Sequence, residues 1–260
     1  MNRAQALSSM LVAVAVAVGC GGGKPQDAAA RTEPAAPVAQ APAPAQAVPA
    51  GSATIQGIVT FTGEAPERMP VQMSADPVCQ QQHAEPVLTE DTVVNPNSTL
   101  RNVVVYVKEG VKGAFPAPAN PVVLDQRGCW YQPHVFGIQA NQPLQIVNSD
   151  ATLHNINAKP AQNQPFNVAQ PVKGMKTSKT FARPEVGVKF KCNVHPWMNA
   201  YAVVLAHPFF AVTGADGTFR IANLPTGTYT LEAWHEKYGT QTQQVTVADG
   251  EMKTVTFAFR

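Results

Sequence analysis

The 260-residue sequence is poor in charged and aromatic side chains, and this scarcity limits its partners. Charged residues make up 14% of the chain and aromatic residues 7%, and the formal net charge at pH 7 is +2. The sequence has no basic block and no basic patch interleaved with aromatic residues. This composition argues against nucleic acid as a partner.

The sequence also lacks the motifs of common enzymes. No Ser-His-Asp order, phosphate-binding loop or catalytic carboxylate pair stands out, so we expect no enzyme. Asp150 is a lone carboxylate after a strand-like run, which is typical of turn chemistry. Four histidines show no ligand spacing with one another and are expected to be hydrogen-bonded or exposed: His83, His134, His207 and His235. A second metal site formed by His134, His207 and His235 stays an open alternative.

Residues 53–260 contain no long helical period. Short strand-like runs recur instead and are bounded by glycine, proline, asparagine and aspartate, a pattern typical of β-sandwiches. We therefore predict an all-β fold with two sandwiches. The predicted strands are 54–62, 102–108, 121–125, 134–139, 144–148, 186–192, 201–205, 218–221, 229–234, 244–247 and 254–259.

The N-terminal 52 residues have the pattern of an export signal rather than that of a folded domain. Arg3 precedes the apolar run 11–18, which is typical of a signal peptide and too short to span a bilayer. The following Ala17-Val-Gly-Cys20 resembles the lipobox of bacterial lipoproteins. The resemblance implies cleavage after residue 19 and a lipid on Cys20; the alternative is a plain signal peptide with an incidental cysteine. Because Gly21 is not aspartate, the resemblance favours the periplasmic face of the outer membrane or the cell surface.

Residues 20–52 are rich in alanine and proline and have almost no large apolar side chains. Such a segment cannot bury enough surface to offset its ordering entropy. We therefore predict a tether between the lipid anchor and the folded residues.

The run Cys192-Asn-Val-His195-Pro-Trp-Met198 carries a thiolate, an imidazole and a thioether. The preceding residues 187–192 alternate like a strand, with Val188, Phe190 and Cys192 on one face. One thiolate, two imidazoles and a weak axial thioether are the ligands of a blue-copper electron-transfer site. The second imidazole would come from His154, 38 residues before Cys192.

An N-x-D-x-x-x-H-N segment ending at His154-Asn155 followed by C-x-x-H-x-x-M resembles the cupredoxins, whose fold is a Greek-key sandwich. The short loop with Pro196 is most similar to the amicyanin version, and the resemblance covers roughly residues 115–206. It implies one type 1 copper ion, with Met198 on its axis. The alternative is that Cys192 is a buried thiol and Met198 a core residue.

The same resemblance assigns roles around the ligands. The Asn155 side chain would bond to the ligand loop, and Pro196 would stiffen that loop by fixing φ. The edge of His195 would be the electron port, with Trp197 beside it in a docking surface for a redox protein.

The C-terminal residues contain D-G-x-F followed by L-P-x-G-x-Y-x-L, which resembles the carboxypeptidase regulatory-like (transthyretin-like) sandwich domain. Residues 207–260 are short for such a domain, so strands in 53–110 would complete it and the copper domain, 111–206, would be inserted between them. The alternative is a contiguous domain over 53–206 with a partial sandwich after it.

Two cysteines remain once Cys20 and Cys192 are assigned. An exported protein is in an oxidising compartment, where a remaining pair of cysteines commonly forms a disulfide. We therefore predict a Cys79–Cys129 disulfide; two free thiols are the alternative.

The sequence thus predicts a membrane-anchored copper protein that carries single electrons between extracytoplasmic redox partners. Two alternatives stay open: a copper carrier or sensor without electron transfer, and a surface-binding module with structural copper. The sequence does not indicate the oligomeric state.

Overall fold

A computed structural model describes residues 51–260, which form sixteen strands and one short helix. The predicted signal peptide, Cys20 and all but the last two residues of the tether lie outside the described residues. Within residues 51–260, no helix has the length and apolar character needed to cross a membrane. The elements are β1 Ala53–Phe61, α1 Pro77–Gln80, β2 Val104–Glu109, β3 Val122–Gln126, β4 Tyr131–Gln132, β5 Val135–Gln139, β6 Leu144–Asn148, β7 His154–Ala158, β8 Phe166–Gln170, β9 Lys176–Lys179, β10 Glu185–Lys191, β11 Asn199–Leu205, β12 Phe210–Val212, β13 Thr218–Leu224, β14 Gly227–His235, β15 Gly239–Val247 and β16 Met252–Phe259.

The strands form four sheets, which confirms the all-β prediction. Their strand orders are β13-β1-β16, β12-β2-β14-β15, β5-β11-β10-β7-β8 and β4-β3-β6-β9. Most neighbouring strands are antiparallel, and the β1–β16, β5–β11 and β3–β6 pairs are parallel.

The first two sheets enclose one apolar core with strands from both ends of the described chain. Strand β1 pairs with β13 and β16, and β2 pairs with β12 and β14. Their inward residues include Ile55, Val105, Leu231 and Phe257. Strands from residues 53–110 therefore share sheets with the C-terminal strands, while the domain boundaries stay a prediction.

The other two sheets enclose a second core that reaches the predicted ligand loop. Leu124 and Ile146 face it from one sheet, and Phe190 faces it from the other. Cys192 and Met198 belong to the same apolar cluster. The predicted copper ligands are thus attached to the end of a packed sandwich.

A third core lies between the β2 sheet and the β11 sheet. On β2, Val105 faces the first core, whereas Val104 and Tyr106 face the third. On β11, Val203 and Leu205 likewise contact this third core. Successive side chains of a strand point to opposite faces, so a strand covered on both faces is apolar throughout. This explains the uninterrupted apolar runs 103–107 and 201–205.

The eleven predicted strands all have counterparts, and five further strands and α1 were not predicted. The unpredicted elements are β4, β7, β8, β9, β12 and α1. His154, the predicted upstream ligand, is the first residue of β7. The segment 62–103 leaves the first core after β1 and carries α1 to the second core, where Cys79 is buried.

Candidate metal centre

The loop after β10 is folded back on itself by its own backbone. The amide of Cys192 donates to the Met198 carbonyl at 3.1 Å, and the Met198 amide donates to the His195 carbonyl at 2.9 Å. The His195 amide also donates to the Cys192 sulfur at 3.4 Å. These bonds fix the loop at the end of a buried strand, as the alternating sequence before it predicts.

His154, Cys192 and His195 converge at one buried point. The Nδ1 atoms of the two histidines lie 3.0 Å apart, and the Cys192 sulfur lies 3.8 Å from Nδ1 of His195. One ligand atom from each residue lies within 4.8 Å of the others. The exposed fractions are 0%, 1% and 2%, and Met198 beside them is fully buried.

These donors fit copper by their chemistry. Thiolate and thioether are soft and suit Cu(I), imidazole suits Cu(II), and two imidazoles with one thiolate make the trigonal set of a blue-copper site. Two further groups of candidate ligands overlap this point, but both use Cys79 or Cys129. Those cysteines are disulfide-bonded and offer no thiolate. Among the candidate groups within residues 51–260, the set of His154, Cys192 and His195 is therefore the one that offers a thiolate to a soft metal.

The surroundings of Cys192 favour its thiolate. Burial by itself would raise the pKa of this thiol, but hydrogen bonds from the side chains of His154 and His195 outweigh it. The backbone amides of His195 and Asn155 act in the same direction, and the pKa falls to about 6. Since a metal binds the thiolate, this environment prepares the sulfur as a ligand.

A buried carboxylate holds the far side of His154. Its Nε2 lies 2.8 Å from Oδ2 of Asp150, which is 2% exposed. The same carboxylate accepts from the amides of Gly128 and Cys129 at 2.8 and 2.7 Å. The interpretation of Asp150 as ordinary turn chemistry was therefore wrong. Its spacing of four residues before His154 was the signal that could have identified it.

A second carboxylate holds His195, and the sequence analysis missed it entirely. Nε2 of His195 lies 3.0 Å from Oδ2 of Asp76, the N-cap residue of α1. Asp76 also accepts from the Thr152 hydroxyl at 2.8 Å and from the Val78 amide at 2.9 Å. Because 119 residues separate Asp76 from His195, no local pattern joins them.

Asn155 lies where the resemblance implied. Its side-chain oxygen accepts from the amide of Asn193 in the ligand loop at 2.9 Å. Its amide nitrogen donates to Asn167, and the Tyr131 hydroxyl donates to its backbone carbonyl at 2.6 Å. The histidine strand and the cysteine loop are thereby tied together. Pro196 is exposed in that loop.

The Cys79–Cys129 disulfide covers the candidate metal centre. The two sulfurs are bonded, and the Cys79 sulfur lies 3.5 Å from Nε2 of His195. With α1 and Asp76 against it, His195 has no exposed edge, which differs from the expected port. Trp197 is half-buried, its ring centre is 5.1 Å from that of His195, and its Nε1 donates to the Cys129 carbonyl at 3.0 Å.

The remaining histidines have separate surroundings. His134 bonds to the Asn199 carbonyl and to Glu236, and His207 bonds to the Val107 carbonyl. His83 bonds to a backbone carbonyl, and His235 accepts from a backbone amide. Within residues 51–260, His134, His207 and His235 form no shared ligand group.

Comparisons with known proteins find one family model and several solved structures that are similar to parts of this chain. The carboxypeptidase regulatory-like domain family matches residues 199–260, which confirms that part of the resemblance. A Cu-containing nitrite reductase from Thermus scotoductus SA-01 is 24% identical, with a TM-score of 0.31 over 38% of this chain and 25% of that one. A reduced tryptophan-to-tyrosine mutant of amicyanin is 21% identical, with a TM-score of 0.29 over 32% of this chain and 81% of that one. The curated proteins contain no match to this chain.

Proposed function

We propose that this protein is a mononuclear type 1 copper protein that carries single electrons. His154, Cys192, His195 and Met198 would hold the ion. The observation that supports this most strongly is the buried convergence of one thiolate and two imidazole Nδ1 atoms. A copper ion bound there supplies a one-electron Cu(II)/Cu(I) couple.

The protein's own residues would keep the centre nearly unchanged between the two oxidation states. The ligand loop is fixed by three backbone hydrogen bonds, and Asn155 ties it to the histidine strand. Burial excludes water from the ligands, and the carboxylates of Asp76 and Asp150 prevent rotation of the imidazoles. A site that changes little on reduction transfers electrons with a small reorganisation cost.

The electron exit would run through Trp197 rather than through an exposed His195 edge. Trp197 contacts His195 and also lines a cavity of about 250 Å³ together with Trp130, Tyr201 and Glu236. We propose that an extracytoplasmic redox protein docks at this face. The chain would carry electrons between such partners without catalysing a reaction of its own.

A lipid on Cys20 would hold the protein at the periplasmic face of the outer membrane or at the cell surface. The alanine- and proline-rich tether would let the folded residues reach partners some distance from the membrane.

Complete burial of the ligands favours a retained ion over one that is handed on. The test uses the full-length copper-loaded protein in two assays: voltammetry and transfer to a Cu(I) chelator. We expect reversible one-electron cycling and no copper loss over hours. Irreversible reduction, or release to the chelator within minutes, would support the copper carrier instead.

A further inference from the structure

Both candidate histidine ligands are held in the same way. Each turns Nδ1 toward the other histidine and Nε2 toward a carboxylate, Asp150 for His154 and Asp76 for His195. An imidazole that binds a metal through one nitrogen donates its other N–H group to an acceptor, and a carboxylate acceptor makes it a more basic ligand. The two carboxylates therefore select the tautomer in which both Nδ1 lone pairs are free to bind a metal at the point where the candidate ligands converge.

The Cys79–Cys129 disulfide joins the two backbone segments that hold these carboxylates in place. Cys79 lies three residues after Asp76, and both contact Nε2 of His195. Its partner Cys129 donates its amide to Oδ2 of Asp150 at 2.7 Å. One covalent link thus joins the segment that carries Asp76 to the loop that fixes Asp150.

We propose, on the basis of the copper function proposed above, that Asp76 is a positioning residue for His195 and that the Cys79–Cys129 disulfide holds it there. Its role goes beyond capping the single turn of α1. That helix has four residues, and a cap does not need a buried imidazole as a partner.

The physical consequence is a lower reduction potential. A thiolate and two carboxylates would lie close to the ion. Their negative charges stabilise Cu(II) more than Cu(I), because the attraction grows with the charge of the ion. Removing the Asp76 charge should therefore weaken Cu(II) binding more than Cu(I) binding.

Asp76→Asn in the full-length copper-loaded protein separates the charge from the cap. Asparagine caps helices as well as aspartate does, so the helix should persist while the carboxylate is lost. We expect Cu(II) affinity to fall about 10- to 100-fold. Each tenfold difference between the two oxidation states raises the potential by about 59 mV.

Asp91→Asn is the matched control. It removes a carboxylate from the same 62–103 segment, where Asp91 pairs with Lys237 rather than with a histidine. The control should leave potential and affinity close to those of the wild type. An equal change in both variants would mean a general charge effect and would overturn the positioning role.

The double variant Cys79→Ala with Cys129→Ala tests the disulfide. We expect its potential to rise in the same direction as in Asp76→Asn, and adding Asp76→Asn to it should produce little further change. If the changes in potential caused by the disulfide variant and by Asp76→Asn were fully additive, the disulfide would not be what holds Asp76 against His195.

Failure of this inference differs from failure of the proposed function. A wild-type protein that binds no copper through Cys192 would overturn both. A wild type with a blue-copper spectrum and an Asp76→Asn variant with unchanged affinity and potential would overturn the positioning role alone.

Discussion

Four candidate ligand residues and two carboxylates form the candidate metal centre. The candidate ligands could be proposed from the sequence because three of them lie within seven residues and the fourth follows a recognisable polar turn. Asp150 lies in that turn, but its contact with His154 was not predicted, because the sequence does not show that its carboxylate is buried. Asp76 could not be predicted, because only the folded chain brings it to His195.

Met198→Leu tests the axial ligand. The thioether is expected to be a weak axial donor whose loss disfavours Cu(II) more than Cu(I), so the variant should keep copper and show a raised potential. The potential should rise by tens of millivolts, since each tenfold change in the ratio of Cu(I) to Cu(II) affinity corresponds to about 59 mV for one electron. Voltammetry of Met198→Leu beside the exposed control Met252→Leu measures it. A lowered potential, or the same shift in the control, would contradict the axial role.

Strands with a long alternating or apolar pattern were predictable, whereas five strands of two to five residues were not. The β10 strand places Val188 and Phe190 on one buried face, as its alternation predicts, and buried Cys192 follows directly after it. Strand β9 has no large apolar side chain, so its sequence carries little periodic signal. The segment 62–103 has neither pattern, and its position over the metal centre depends on long-range contacts. Because the sequence does not reveal that this segment covers His195, it led us to expect an exposed histidine edge, whereas the structure buries His195.

The end of strand β14 carries a buried histidine that should make stability depend on pH. His235 is fully buried; burial lowers its pKa to about 4, and nearby Glu236 and Asp91 only partly offset this. An unfolded histidine has a pKa near 6.5, so the unfolded state binds more protons between about pH 4 and 6.5. The free energy of unfolding should therefore fall by about 3 kcal/mol as the pH drops through this window.

Urea unfolding of wild type and His235→Phe across this pH range checks the assignment. The aromatic replacement keeps a ring against Tyr238 and Phe259 but cannot be protonated. Its stability should decline less on acidification than that of the wild type. Identical pH slopes for the two proteins would show that other groups are responsible.

The four sheets form one stack with three apolar cores, and this arrangement was only partly predictable. Two sandwiches follow from the strand pattern and from the two family resemblances. The apolar runs of β2 and β11 gave the signal for a third core, since both strands are covered on two faces. The sequence could not specify which sheets face each other, because strand periodicity carries no information on sheet order.

We propose that His154, Cys192 and His195 bind one copper ion through a thiolate bond. The most direct test of this proposal is the visible and EPR spectrum of the full-length protein titrated with Cu(II), beside Cys192→Ser. We expect one ion per chain and an intense thiolate-to-copper band that Cys192→Ser abolishes, because a hydroxyl is a hard and poorly ionised donor. A colourless protein, a multicopper stoichiometry, or an unchanged band in Cys192→Ser would contradict it.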